Sequence, residues 1–393
     1  MEWIELGELC EVKGGSTPSR RKKEYWEYGN IPWVKISDIK GKYVMKTEEF
    51  ITKAGFDNSS VKMIEKGSLI YTIFATVGKV AILDIDATTN QAIVGLEIID
   101  KELIKEDYLF YFLQSIEDKV KSQSRGVAQN NINIGILKKI KIPVPPIETQ
   151  KQIVEVLDEA QKLIDNRKKQ IELLDDLIES IFYDMFGDPV KNNRGWEVKK
   201  LGELTSKIGS GSTPRGGESS YKKEGISLIR SMNIYDGEFV YDGLAFIDEG
   251  QASKLNNVIV LEGDVLINIT GASINRACIV PKDILPARVN QHVSILRPKK
   301  DLTSNYLVNL LISKTFKRKL YNIATSGGAT REAITKGDLE NLEIPIPPLP
   351  LQNQFANKVQ AIESQKQLLE KSLKLLEDNY NSLMQRSFKG ELF

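Results

Sequence analysis

The sequence holds a single histidine, His292, among its 393 residues. A Ser-His-Asp or Cys-His relay therefore has almost nothing to draw on. It holds two cysteines, Cys10 and Cys278, too few and too scattered for a disulfide framework or a zinc site. That scarcity points to a reducing compartment, and the chain is expected to be cytoplasmic. Apolar runs of membrane-spanning length are absent, and Glu2 and Glu5 stand where a signal peptide would be basic. An excess of one charge is missing as well: 54 Lys and Arg against 53 Asp and Glu leave +1. Chains that bind only nucleic acid are often strongly basic. This balance neither demands nor excludes DNA, and it leaves acidic faces for protein partners. The glycine-rich run Gly209-Ser210-Gly211-Ser212-Thr213-Pro214 lacks the third glycine of a dinucleotide fingerprint and the Lys-Ser/Thr of a P-loop. Glu-x-Lys pairs at Glu11/Lys13 and Glu197/Lys199 are the kind that chance supplies when 27% of residues are charged. Metal-assisted catalysis is not expected of them.

What is present is a doubled pattern. Ile153, Leu157, Ala160, Ile164, Ile171, Leu174, Ile178, Ile181 and Met185 fall on one heptad seam, broken by Arg167. Pro145 and Pro146 forbid an earlier start, and Gly187 suits a left-handed C′ residue with Pro189 beyond. A helix of that length makes a rod of roughly 60 Å. A second seam follows Pro347-Pro348: Phe355, Val359, Ile362, Leu369, Leu373, Leu376, Tyr380 and Leu383, broken by Lys366 and closed by Gly390. The segments before the helices match too. Leu6-Gly7-Glu8-Leu9 recurs as Leu201-Gly202-Glu203-Leu204, Gly15-Ser16-Thr17-Pro18 as Gly211-Ser212-Thr213-Pro214, and Asn90-Gln91 as Asn290-Gln291. The offset drifts only from 193 (Trp3 to Trp196) to 202 (Ile153 to Phe355), so one unit has been doubled.

Within each globular segment, short Val/Ile/Tyr-rich runs alternate with Gly, Asp and Asn turns. Strands are expected at 68–74, 79–85 and 93–99, and again at 239–241, 258–260, 265–269, 277–280 and 293–297. Helical pieces are expected at 106–121 and 304–320. The class is α+β, on twisted antiparallel strands. The boundaries are a first globular domain at 1–145, a central long helix at 146–187, a polar linker at 188–195, a second domain at 196–345 and a C-terminal long helix at 346–393. The two helices are expected to pack as an antiparallel coiled coil, giving an internal pseudo-two-fold axis. Arg167 and Lys366 either fix that register or lie on an exposed edge of the helix pair.

Two diverged repeats, each followed by a Pro-x-Pro-Pro boundary, Gln150/Gln152 or Gln352/Gln354 and a long helix, resemble the specificity subunit of type I restriction–modification systems. The resemblance spans essentially the whole chain, and no single piece is specific apart from the order. It implies that each globular domain is a target recognition domain reading one half-site of double-stranded DNA, with the helices setting the spacer. It also implies docking of two modification subunits, which bind S-adenosylmethionine and methylate adenine, and of a restriction subunit. This chain would then be non-catalytic and hold no cofactor. In keeping with that, it has no Asn-Pro-Pro-Tyr or Asp-Pro-Pro-Tyr segment; its double prolines follow Val144 and Ile346. Since the repeats differ in sequence, the target should be asymmetric and bipartite. The rival class is a coiled-coil adaptor that bridges proteins without touching DNA.

Candidate DNA contacts are chosen by side-chain chemistry. Ser16, Thr17 and the run Arg20, Arg21, Lys22, Lys23 form a polar basic loop suited to phosphates; the plain alternative is a solvated face. Its counterpart, Ser212, Thr213 and Arg215, is less basic. Lys35 and Ser37 follow an apolar strand, as do Arg230, Ser231 and Asn233. Lys79 matches Arg276 at equivalent turns; surface ion pairs of little worth are the alternative. Asn90, Gln91, Asn290 and Gln291 have amides that fit adenine. Being shared by domains that read different sequences, they more plausibly position than specify. The loops carrying Arg125, Gln129 and Asn130, and Arg331, diverge between the repeats, as base-reading residues should.

Overall fold

The computed structural model describes residues 2–124, 131–326 and 332–392. They fall into two units: Met1–Lys168 with Lys371–Phe393, and Lys169–Glu370. Each unit therefore contains one globular body and half of each long helix, Ile147–Phe186 and Leu349–Lys389.

In unit 1 a five-stranded sheet runs in the order Cys10–Gly14, Ile93–Ile98, Leu69–Thr72, Val80–Leu83, Tyr43–Val44. Phe50–Ile51, Ile31–Val34 and Thr88–Thr89 form a second, three-stranded sheet. Unit 2 has two four-stranded sheets: Thr205–Ser210, Val293–Pro298, Val265–Asn268, Ala277–Ile279, and Ala245–Ile247, Ile226–Ile229, Ala287–Val289, Ile259–Val260. Most pairs are antiparallel, as expected. However, Trp33 and Val34 run parallel to Thr88 and Thr89, Ser227–Ile229 parallel to Ala287–Val289, and Tyr43 and Val44 parallel to Ile82 and Leu83. No strand forms at 239–241, where Phe239 makes only an isolated bridge to Ile234. The expected helical pieces are each broken in two, as Glu106–Ser115 with Glu117–Ser124 and Ser304–Ile312 with Lys314–Thr325.

The junction between body and helix is built alike in both units. In each double proline the second carbonyl accepts from the helix, from the Gln150 N–H at 3.1 Å and the Gln352 N–H at 3.2 Å, and the first needs another donor. The fully buried Gln150 donates to the Leu103 and Pro145 carbonyls, both at 2.9 Å, and accepts from the Lys105 N–H at 3.0 Å. Gln352, equally buried, donates to Asp301 at 3.1 Å and Pro347 at 2.9 Å, and accepts from Thr303 at 2.9 Å. The Tyr108 and Tyr306 hydroxyls donate to the carbonyls of Pro143 and its counterpart Pro345 respectively, each at 2.7 Å. The first helix ends at Gly187 with φ +76°, its N–H bonded to the Tyr183 carbonyl at 2.9 Å.

The seam residues face their unit's core, with a drift. Ile153, Leu157 and Ile164 are buried with Tyr380, Met384 and Phe388 in unit 1. In unit 2, Ile178, Phe182 and Phe186 are buried with Phe355, Val359 and Ile362. Phe182 and Phe186, not Ile181 and Met185, carry the deepest burial near the helix end, stacking around Tyr306 and Phe355. A straight helix turns every 3.6 residues, so a strict heptad reading slips off the buried face. Lys366 is no bare interruption: its ammonium lies 2.7 Å from Asp175. Lys168 pairs with Glu377 at 3.0 Å.

Candidate nucleic-acid interface

Two distant segments of each unit are tied by one side-chain bond. The Thr17 hydroxyl donates to Gln91 Oε1 in unit 1, and the Thr213 hydroxyl to Gln291 Oε1 in unit 2. Glycine permits this approach. A Cβ on Gly15 would sit 2.1 Å from the Asn90 carbonyl oxygen, and one on Gly211 1.7 Å from that of Val289. Asn90 Oδ1 accepts from the Ala92 N–H, and Asn290 Oδ1 from the His292 N–H, each at 3.0 Å. The side-chain oxygen of each asparagine is thus committed to its own turn, and Asn290 is buried. Gln91 and Gln291 are exposed.

A hairpin lies against each turn. The Ile73 N–H donates to the Ala92 carbonyl at 2.8 Å, and the Ile269 N–H to that of His292 at 2.9 Å. The next segment returns alongside: Ile132 N–H to the Ile73 carbonyl at 3.0 Å, Ile334 N–H to that of Ile269 at 2.9 Å. Thr-bearing loop, Asn-Gln turn and hairpin therefore share one edge in each unit. Arg125, Gln129, Asn130 and Arg331 lie outside the described residues.

The basic candidates divide into committed and uncommitted side chains. Arg20 pairs with Glu49 at 2.6 Å and stacks on Trp26, 3.5 Å from the ring centroid, and on Trp33 at 4.8 Å. Lys35 reaches the same Glu49 at 2.8 Å. Burial alone would raise the Glu49 carboxyl, but hydrogen bonds from Lys35 and Arg20 hold it below its usual range. Lys22 donates to the Tyr25 hydroxyl at 2.8 Å, and Lys23 makes only an exposed pair with Glu27 at 3.7 Å. In unit 2 the Arg230 guanidinium is held by Glu218 at 2.9 Å and by the Gly243 carbonyl at 2.6 Å. Asn233 is fully buried, accepting from the Arg230 N–H at 3.0 Å and donating to Val240 at 2.9 Å. Its amide is withdrawn from the surface and shapes the turn, as Asp38 does by accepting from the Lys35 N–H at 2.8 Å. Ser231 offers its carbonyl to Asn268 at 2.9 Å. Ser37 and Ser212 are exposed, and Ser16 is half-buried.

Arg21, Lys79, Arg215 and Arg276 have no ion pair among the described residues. Lys79 and Arg276 hold equivalent places, directly before Val80 and Ala277 of the paired strands. Their surroundings differ. Lys79 lines a cavity of about 660 Å³ with Lys42, Tyr111, Asp158 and Tyr380. Arg276 lines one of about 580 Å³ with Ser231, Tyr235, His292 and Glu332. Tyr235 carries no sequence signal for DNA contact, and His292 enters only as the end of the Asn290-Gln291-His292 run. Its position directly behind the recurrent Asn-Gln pair is the signal the sequence offers.

No group of three or more His, Cys, Asp or Glu able to hold a metal occurs among the described residues. Nor is any helix among them long and apolar enough to cross a membrane.

The model of the type I restriction modification DNA specificity domain matches residues 1–175 and 193–378. The chain is 28% identical over 409 residues to the type I restriction enzyme MjaIX specificity subunit of Methanocaldococcus jannaschii, covering 98% of this chain and 92% of that one. It is 32% identical over 195 residues to the EcoR124I/EcoR124II specificity subunit of Escherichia coli, 45% of this chain and 48% of that one. Among solved structures, a chain from a study of type I R-M complex assembly and conformational transition is similar over 100% of this chain and 98% of its own, with TM-score 0.64 at 20% identity. The type I S subunit from M. genitalium is similar over 99% of this chain and 96% of its own, with TM-score 0.52 at 14% identity. At these identities the structural likeness speaks to the fold.

Proposed function

Because this chain belongs to the type I restriction–modification DNA specificity family, we infer that it recognises the DNA target for the enzyme complex. The non-DNA-binding adaptor reading is not favoured. The finer assignments are our own. Residues 1–145 and 196–345 each read one half-site of an asymmetric, bipartite duplex target. The observation that carries this is the duplicated edge: the same threonine–glutamine latch in both units, flanked by different side chains. Shared residues hold the readers' frame, and the unlike rims supply unlike specificities.

The two long helices, read as an antiparallel coiled coil under an approximate two-fold axis, set the spacer between half-sites. Support comes from the seams buried in each unit and from the Asp175–Lys366 and Lys168–Glu377 pairs. The helices also dock two modification subunits, which supply S-adenosylmethionine and the methyl transfer, and a restriction subunit. The chain itself is non-catalytic, holds no cofactor and works in the cytoplasm; its two thiols are free and buried. Of the candidate contacts, Arg20, Lys35, Arg230, Asn90, Asn290 and Asn233 position the surface. Ser16, Ser212, Ser37, Ser231, Arg21, Lys22, Lys23 and Arg215 lie against phosphates. Thr17, Gln91, Thr213 and Gln291 latch the edge. Lys79, Arg276 and the loops of Arg125, Gln129, Asn130 and Arg331 face bases.

A gel shift with the partner modification subunits tests the reading. Site-selective, salt-sensitive binding is expected, and failure on every duplex with partners present would favour the adaptor. Inserting one heptad into both helices should lengthen the spacer and leave both half-sites unchanged.

A further inference from the structure

We propose that Arg276 is the guanine-reading residue of the second unit, acting from the cavity it shares with Tyr235 and His292. The proposal rests on the DNA-reading function above and goes beyond it to one residue and one base. Two observations support it. The guanidinium carbon lies 4.3 Å from the centroid of the Tyr235 ring. Stacking of this kind fixes the plane of the fork while leaving its in-plane donors free. Arg276 has no ion pair or hydrogen bond from its side chain among the described residues, unlike Arg20 and Arg230, whose guanidinium groups are held by Glu49 and Glu218. A planar, oriented and unspent fork matches the O6 and N7 acceptors that guanine alone presents side by side in the major groove.

The cavity wall is rigid for a reason that sequence alone does not display. The Thr213 hydroxyl bonds Gln291 Oε1, Gln291 Nε2 lies 3.1 Å from His292 Nε2, and His292 Nδ1 lies 2.6 Å from the Thr270 hydroxyl. An amide nitrogen only donates. The Nε2 of the ring must then accept, which puts the ring proton on Nδ1, donating to Thr270. Both ring nitrogens are occupied, so His292 is a positioning residue and reads no base itself. It holds the hairpin residue Thr270 against the latch, and the hairpin carries Arg276. In unit 1, Ala92 stands where His292 does and Phe74 where Thr270 does, so this string has no counterpart there. The two readers share a latch and differ in what the latch holds.

The test uses the chain assembled with its modification subunits and the duplex motif found by methylation mapping of the unsubstituted complex. Every single-base variant of both half-sites is assayed for methylation and for binding. Arg276→Ala and Arg276→Lys should each relax one guanine of one half-site by roughly 10- to 100-fold in discrimination, leaving the other half-site intact. Lysine keeps the charge without the fork, so its failure to restore the preference separates base reading from charge. The retained half-site reports that the complex is folded. Gln291→Ala should blunt the same guanine preference more weakly. A uniform loss of affinity at all positions, with a shallower salt dependence and an unchanged motif, would make Arg276 a phosphate contact and overturn the assignment. So would an unchanged motif with unchanged affinity. Absence of any sequence preference in the unsubstituted complex would overturn the DNA-reading function, and this assignment with it.

Discussion

Replacing Gln352 should damage the second unit more than its single side chain suggests. The amide is fully buried and joins three backbone groups: it donates to Asp301 and Pro347 and accepts from Thr303. In Gln352→Leu those groups stay buried without the amide. A stranded buried donor or acceptor costs about 1–3 kcal/mol before relaxation, and water cannot readily enter a fully closed site. Allowing for partial relaxation, the loss should be about 3–5 kcal/mol. Gln352→Glu is the sharper variant because it keeps the volume. At neutral pH a carboxylate oxygen would then face two carbonyl oxygens, so glutamate should be at least as damaging as leucine. Protonation restores one donor, which raises the folded-state pKa of the introduced carboxyl. Stability should therefore be greater at acid pH and be lost as pH rises through that value. The chain contains two units, so one melting temperature is a poor measure. Peptide-resolved hydrogen exchange is better, comparing 301–306 and 345–352 with the matching 103–108 and 143–150 around Gln150. Exchange should accelerate in the first pair and stay unchanged in the second. Gln352→Glu within about 0.5 kcal/mol of the parent would refute the claim that this amide holds the helix to its reader.

Other consequences can be measured on the same protein. Arg21→Ala should leave the recognised motif unchanged and lower the salt slope of binding by about 1, as for one lost phosphate contact. Arg20→Ala should instead loosen the loop, since it removes the stack on Trp26 and the pair with Glu49; limited proteolysis near residues 19–27 would show it. Asp264→Asn should cost about 2–4 kcal/mol in unit 2, because Asp264 is fully buried and binds the Arg297 guanidinium at 2.8 and 2.9 Å. A change under about 0.5 kcal/mol in denaturant unfolding would count against that pair. Burial pushes the Cys10 and Cys278 thiols up to about 12. A thiol reagent at pH 8 should label neither in the native chain and both after unfolding. The native state holds these protons to higher pH than the unfolded chain, so their contribution to stability falls as pH rises above about 9.

The large architecture was legible because its signals are local or repeated. Proline pairs before a heptad run, glycine after it and the recurrence of Leu-Gly-Glu-Leu sit in the sequence as read. What escaped depended on distant partners. The parallel pairing of Ser227–Ile229 with Ala287–Val289 joins segments about 60 residues apart in sequence, and nothing local announces it. Ile116 and Ser313 break helices that periodicity alone carries through. Near its end, the buried face of the first helix passes to Phe182 and Phe186, which a fixed seven-residue count assigns to the flank.

The candidate interface shows the same division more sharply. A run such as Arg20-Arg21-Lys22-Lys23 presents four like residues to a sequence reader, yet three have partners inside the unit. Whether a cation can meet a phosphate or a base depends on what already holds it, and Glu49 lies 29 residues from Arg20. Recurrence misleads in the opposite sense. Asn90 and Asn290 stand out because they repeat, but they repeat because both units need the same turn, capped in the same way. A residue that distinguishes one target from another must differ between the units, so repetition hides it. Arg276 is visible only once three things are known together: which cations are free, which ring orients them, and which positions the two frames hold in common.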